Sequence, residues 1–373
     1  MLRKKIPLTR PYVGNEELEK IREVFQSGFL TKGETLKEFE RKFEDYLNVR
    51  YAVSTSSCTT ALHLALASLG IGKGDEVIVA DFTFPSTANV VVYQGAKPVL
   101  CDIDQKTFNI IPEEIPKLIT PKTKALMPVH LFGHSVDMDP IIEIAEENDL
   151  HVVWDTACGV GTLYKGKDVG AIGEVSCYSF HPRKILTAGE GGMLVTNDEE
   201  IAEKALALRN HGLVMQGGRG VFKYVGYNYR LTDICAAIGI VQLEKVTDLI
   251  ADRRRVARLY DEMLSELEEI SKPFVADYCT HTYQCYVSTV VEPRLSRDEI
   301  ISKLRKEGIE AQIGTYCLHA QPCYEGIIEF SRENLLNAER AYETSLALPI
   351  YYGMTEEDVD QVTYSLKKVI GSH

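Results

Sequence analysis

Short apolar runs of strand length alternate with helix-length patterns through the first two-thirds of this chain, and nothing else constrains its fold as strongly. Tyr51–Thr55 (YAVST) reads as a strand, and TTALHLALASLG behind it as a helix. Glu76–Ala80 (EVIVA) is the next strand, followed by the short helix STANVVVYQ and then by strands in KPVLCDI and KALMPVHLF. The segment DMDPIIEIAEEND has apolar positions at helical spacing and leads into LHVVWD. Such alternation predicts a mostly parallel sheet with helices on both faces. From Thr232 the pattern becomes LTDICAAIGIVQLEKVTDLIADRRRVARLYDEMLSELEEI, one very long helix or two joined ones. Beyond it, YQCYVSTVV and the segment around Ile309 read as strands, with helices from Ser296, Ser331 and Thr355. That predicts a second, smaller α/β domain, and a length of 373 residues fits two.

Composition narrows the function classes. With 45% hydrophobic and 25% charged residues the chain is ordinary globular protein. No apolar run approaches the roughly 18 residues of a membrane helix. The opening MLRKKIPLTR lacks the apolar stretch of a secretory signal, so a cytoplasmic chain is expected. The nine cysteines are odd in number and form no C-x-x-C pair. Reduced thiols are therefore expected, with neither a disulfide framework nor a structural zinc site. The net charge is −13, from 41 Lys+Arg against 54 Asp+Glu. No long basic run concentrates the positive charge, which disfavours nucleic acid and anionic lipid as partners.

Several patterns are set aside on chemical grounds. Gly70, Gly72 and Gly74 stand before a strand, whereas a dinucleotide fingerprint follows one, so they read as a helix-ending turn. Gly161–Asp168 is one residue short of a phosphate loop, with a carboxylate where a hydroxyl should hold magnesium. His130 and His134 flank Gly133, which breaks the helix that would aim both at a metal, and no metal is expected. His63, on the apolar face of its helix, reads as a core histidine.

The dense stretch VSCYSFHPRKILTAGEGGMLVTND remains. A strand ends at Phe180, and Pro182 prevents a helix from following. Lys184 then lies in an irregular segment before Gly189, Gly191 and Gly192. A loop lysine is ordinarily a solvated surface group. One held at the end of an apolar strand is desolvated and its pKa falls, as a Schiff-base lysine requires. Asp155 ends LHVVWD at the carboxyl edge of a strand, where open α/β sheets bind ligands, although aspartates there also serve as plain turn formers.

The motifs Asp155-Thr156-Ala157 and Ser179-Phe-His-Pro-Arg-Lys184, with Gly189-Glu190-Gly-Gly-Met193, resemble the DegT/DnrJ/StrS family of pyridoxal-phosphate sugar aminotransferases. KGDEVIVADFTFPSTAN, GAKPVLCDID, VHLFGHSVDMD, GYNYRLTD and SLALPIYYGMTEEDV extend the resemblance along almost the whole chain. It implies the fold of aspartate aminotransferase: a large, mostly parallel seven-stranded sheet domain covered by helices, and a smaller C-terminal α/β domain. Residues 15–245 would form the large domain and 246–373 the small one, with 1–14 packing on the latter. The active site would be shared in a homodimer.

The resemblance also assigns roles. Lys184 would bond the cofactor covalently and act as the base that moves a proton between carbons. Asp155 would bond the pyridine nitrogen and keep it protonated. Phe84 would stack on the ring, Ser57, Cys58, Thr59 and Ser179 would hold the phosphate, and Asn228 would reach the phosphate from the neighbouring subunit. On residues alone, the competing reading is that Asn228 supplies a tolerant turn conformation. The family commonly has Gln or His where Cys158 stands, near the ring hydroxyl, and a small residue at Cys58. Tyr316, His319 and Glu190 would meet the substrate. The activity implied is transfer of an amino group from glutamate, through pyridoxamine 5'-phosphate, to a nucleotide-linked keto-sugar. The Gly-Glu-Gly-Gly after the lysine favours carbon 4. The alternative is a regulatory or sensor protein on the same fold, which would not need an intact lysine–aspartate pair.

Overall fold

The computed structural model describes residues 5–291 and 295–371. Its central sheet has seven strands, in the spatial order Tyr51–Thr55, Gly192–Thr196, Val175–Ser179, His151–Asp155, Thr123–Met127, Glu76–Ala80 and Lys97–Cys101. Gly192–Thr196 is antiparallel to both of its neighbours, and every pair from Val175–Ser179 to Lys97–Cys101 is parallel. Helices cover both faces of parallel strands, so those strands have no polar side, which explains their continuous apolar runs. Val175–Ser179 is buried at all of its positions. The expected α/β fold with a mostly parallel sheet is therefore present.

Local signals set the connections. Ser57 caps the helix Cys58–Leu69 by accepting from the Thr60 amide at 3.2 Å, and Gly70 ends that helix at φ 80°. The would-be phosphate loop is a small hairpin, with Leu163–Tyr164 antiparallel to Lys167–Asp168. Two amphipathic helices not anticipated from the alternation, Asn15–Ser27 and Glu34–Leu47, pack on the long helix Asp233–Met263. The Asp233 carboxylate accepts from the Gly33 and Leu36 amides at 2.9 and 3.2 Å, fixing the start of Glu34–Leu47.

The long helix is a single element of 31 residues, so the division expected at 245/246 falls inside it. Ala236 to Ile250 belong to the core built on Phe39, Phe43 and Phe180, and Val256 to Tyr260 to a core with Tyr286 and Leu346. The C-terminal part holds a four-stranded antiparallel sheet, in the order Ile270–Ser271, Tyr286–Val290, Ser345–Leu348, Gln312–Ile313. The N-terminal segment docks here: Ile6 pairs with Ile309, and the Leu8 carbonyl accepts from Ile350 at 3.0 Å. The helix expected from Ser331 begins at Leu336, after a 3-10 turn. Its amides at Asn337 and Ala338 are capped by distant Asp102, at 3.1 and 2.8 Å, rather than by Ser331. Among the described residues, no helix is long and apolar enough to cross a membrane.

One close approach supports the strand end that leads to Lys184. Phe39 is fully buried with its ring 5.3 Å from that of Phe180, and a Cβ at Gly239 would lie 2.6–2.9 Å from Phe39 ring atoms. Replacing glycine by alanine in a helix ordinarily gains up to about 1 kcal/mol, whereas overpacking a core costs about 1–3 kcal/mol. Gly239→Ala is expected to lower stability, by on the order of 1 kcal/mol, in urea unfolding. A stability gain would show that Phe39 has room to move.

Candidate active site

Asp155 ends the central strand His151–Asp155 and is buried. The Thr87 hydroxyl donates to its Oδ2 at 2.8 Å, and the Ala157 amide to its Oδ1 at 3.1 Å. Burial pushes its pKa up, against the pull of these two donors and of Lys184. Thr87 sits in the helix Ser86–Tyr93, next to Thr83 (3.3 Å between hydroxyl oxygens).

Lys184 follows the strand Val175–Ser179 in an irregular segment, as its surroundings predict. Gln284, from the C-terminal part, grips that segment at two points. It accepts from the Ile185 amide at 2.8 Å and donates to the Arg183 carbonyl at 2.7 Å. Lys184 Nζ donates to Cys158 Sγ at 3.0 Å. Here the structure corrects an expectation. Burial does disfavour the ammonium, but Cys158, then Cys285 and Cys58, more than offset it, and the lysine pKa is raised rather than lowered.

Opposite these groups, the helix Cys58–Leu69 begins. Its Cys58 and Thr59 amides have no partner among the described residues, while the Ser57 hydroxyl is engaged in capping. Gly192 makes this approach possible, because a Cβ there would lie 2.4–2.5 Å from the Ser57 and Cys58 backbone. Ser179 closes the neighbouring strand and is buried. Pyridoxal phosphate fits this arrangement: free amides at the positive end of a helix suit a phosphate, and a buried carboxylate suits a protonated ring nitrogen.

Phe84 is 60% exposed, edge-on to Tyr316 with ring centroids 6.2 Å apart. Tyr316 and Cys317 pair with Thr83 and Phe82, which joins this segment to the turn that carries Thr87. His319, expected to meet substrate, commits Nδ1 to Asp81 at 2.6 Å, and Asp81 raises its pKa. Glu190 is exposed, 3.9 Å from His181. Asn228 lies in a one-residue bridge to Asn210 and has no left-handed backbone, so a tolerant turn is not its role. Its side chain has no hydrogen-bond partner among the described residues, and the adjacent Tyr229 carbonyl accepts from Ser56 at 2.9 Å.

Thr87 and Gln284 escaped the sequence reading. Thr87 stands inside the quoted TFPSTAN, but nothing in the sequence distinguishes a threonine aimed at a carboxylate 68 residues away.

Comparison with known proteins shows the family. The model of the DegT/DnrJ/EryC1/StrS aminotransferase family matches residues 11–367. The chain belongs to this family. It is 40% identical over 369 residues to the GDP-perosamine synthase of Caulobacter vibrioides, covering 98% of each chain. It is 37% identical over 377 residues to the spore coat polysaccharide biosynthesis protein SpsC of Bacillus subtilis, covering 98% of this chain and 97% of that one. Spr1654 of Streptococcus pneumoniae, in its PLP form, superposes with a TM-score of 0.93 at 28% identity over 99% of each chain. Another structure of that protein is a PMP form. The protein is thus an aminotransferase, and family and neighbours point to pyridoxal phosphate as its cofactor.

In this aminotransferase Thr87→Val removes one donor to Asp155 while keeping shape. A hydrogen bond to a charged group contributes about 1.5–3 kcal/mol, so amino transfer should slow by roughly tenfold to a hundredfold. Thr87→Ser, which keeps the hydroxyl, should retain most of the rate. Equal rates for the valine and wild-type proteins would remove Thr87 from the machinery.

Proposed function

We propose that this aminotransferase moves an amino group from glutamate to a nucleotide-linked keto-sugar, at carbon 4, in a homodimer with shared sites. What carries the reading is one juxtaposition: a buried carboxylate at a strand end, a lysine facing it, and free helix amides beside both. Lys184 would bond the cofactor, and its freed amine would take the proton from the donor's α-carbon and return one to the acceptor's carbon. Asp155, held by Thr87 and Ala157, keeps the ring nitrogen protonated. Bound pyridoxal phosphate would supply the electron sink for this proton transfer. The Cys58 and Thr59 amides and Ser179 hold its phosphate, Ser57 fixes that loop, Phe84 covers the ring, and Cys158 lies beside the lysine.

The sugar substrate rests on the relatives: GDP-perosamine synthase carries a nucleotide sugar in its name, and SpsC a polysaccharide. Neither name supports the regulatory alternative. A cationic cavity supports a phosphate-bearing substrate. Lys32, Lys37, Arg209 and Arg230 line about 300 Å³ beside Asn210. Its carboxylate, Glu40, is already engaged by Arg209 at 2.5 Å and by Ser54. Burial, then Arg230 and Arg209, lowers the Lys32 pKa, a repulsion that an anion would relieve. Tyr316, His319 and Glu190 would meet the sugar.

Borohydride reduction with pyridoxal phosphate should fix the label on the Lys184 peptide. Glutamate should then convert unreduced protein to the pyridoxamine form, and a panel of GDP-, UDP- and dTDP-linked 4-keto-sugars should yield one aminated product by mass. A label on Lys165 or Lys167 would sink the lysine assignment. Product only from 3-keto-sugars would overturn the regiochemistry.

Sharing of sites is tested by complementation. Lys184→Ala and Asn228→Ala are each expected to be inactive, yet their mixed dimer should recover activity, because one of its two sites carries neither lesion. No recovery despite proven subunit exchange would place Asn228 in its own chain's site or outside it.

A further inference from the structure

Sulfur surrounds the amine of Lys184. Cys158 Sγ is its hydrogen-bond acceptor at 3.0 Å, the only one among the described residues. Cys58 and Cys285 lie close enough to act on its charge, as do Asp155 and His181, and Arg253 acts on Cys285 from behind. Cys58 is buried, and its thiol donates to the Cys177 carbonyl at 3.4 Å. Both Asp155 oxygens already accept from Thr87 and Ala157. Among the described residues, Cys158 alone is in hydrogen-bond contact with the lysine nitrogen, where a proton can pass directly.

Granting Lys184 the cofactor-bonding role proposed above, we propose that Cys158 is its proton partner. Thiol and amine share one proton across the contact, so Cys–SH with Lys–NH2 and Cys–S⁻ with Lys–NH3⁺ are two forms of one pair. In the first direction the S–H bond breaks, its electron pair stays on sulfur, and the amine lone pair takes the proton. The reverse step restores both groups, and nothing is oxidised or reduced. Attraction across the 3.0 Å contact favours the ionic form. Burial opposes charge separation. These opposing tendencies suit a proton that moves in either direction. When Lys184 is free of the cofactor, the ionic form parks it against Sγ. When the amine must attack, Sγ takes the proton back.

The test uses full-length, cofactor-free protein, so it reads the pair independently of the cofactor. A label outside Lys184 in the borohydride experiment would remove the cofactor role and leave this pair standing. The ultraviolet thiolate absorbance near neutral pH should be larger in wild type than in Cys158→Ser. That difference should vanish when both proteins also carry Lys184→Met, which replaces the amine with an apolar chain. In parallel, iodoacetamide labelling followed by peptide mass should show Cys158 alkylation near neutral pH falling at least about fivefold in Lys184→Met. Exposed Cys323 serves as internal reference and should react unchanged. No thiolate difference between wild type and Cys158→Ser overturns the proposal. So does a difference that survives Lys184→Met. Should Cys158 be shielded from iodoacetamide in both proteins, the absorbance decides.

Discussion

Burying the Asp155 carboxylate at the end of a central strand is costly, and much of the surrounding structure exists to offset that cost. The effective penalty for an ion in a protein interior is several kcal/mol, and each hydrogen bond to a charged group returns about 1.5–3 kcal/mol. The Thr87 hydroxyl and the Ala157 amide supply two such bonds. They do not fully compensate, since the carboxyl pKa stays raised by burial. A protonated ring nitrogen is the kind of partner that completes the balance. Thr87 is in turn fixed beside Thr83, and Thr83 pairs with Tyr316. A continuous path of contacts therefore joins the carboxylate to the segment expected to meet the sugar.

The parts of this design visible in the sequence are those written locally. Parallel strands buried on both faces leave apolar runs such as EVIVA and HVVWD, so the sheet was readable. Lys184 and Asp155 were readable because each stands at the end of such a run. The helix starts at Ser296 and Thr355 were readable for the same reason: their side chains cap their own helices. What stayed hidden depends on distant pairs. Gln284 grips the Lys184 segment across about a hundred residues of chain. Asp102 caps a helix 235 residues on, which moved that helix start from Ser331 to Leu336. The direction of the lysine pKa depended on Cys158, 26 residues upstream, outweighing the burial that the apolar strand announced.

Net charge and local charge work at different ranges here. A chain at −13 repels polyanions from afar. Yet within about a Debye length Lys32 and Arg230 bear on the cavity, where Glu40 is tied to Arg209 and Lys37 to Glu34. The same composition that disfavours nucleic acid is thus compatible with a small phosphate ester. His319 shows the opposite arrangement: a histidine that could have faced a ligand is bonded to Asp81 at Nδ1, with Cys317 Sγ within reach of both ring nitrogens.

The loop carrying Asn228 is anchored in its own chain and leaves that residue exposed. Its backbone is tied down on both sides of the residue: Tyr229 accepts from Ser56, and Asn228 itself bridges to Asn210. Tyr227 and Tyr229 stack on each other, with ring centroids 4.8 Å apart and planes within 7°, and both rings approach His63. Those two side chains therefore share the face turned toward their own helix Cys58–Leu69. Between them, in extended backbone, successive side chains alternate in direction. Asn228 itself is exposed. An exposed amide on so firmly anchored a loop is open to a group from outside its own chain, which is what the proposed sharing of sites requires.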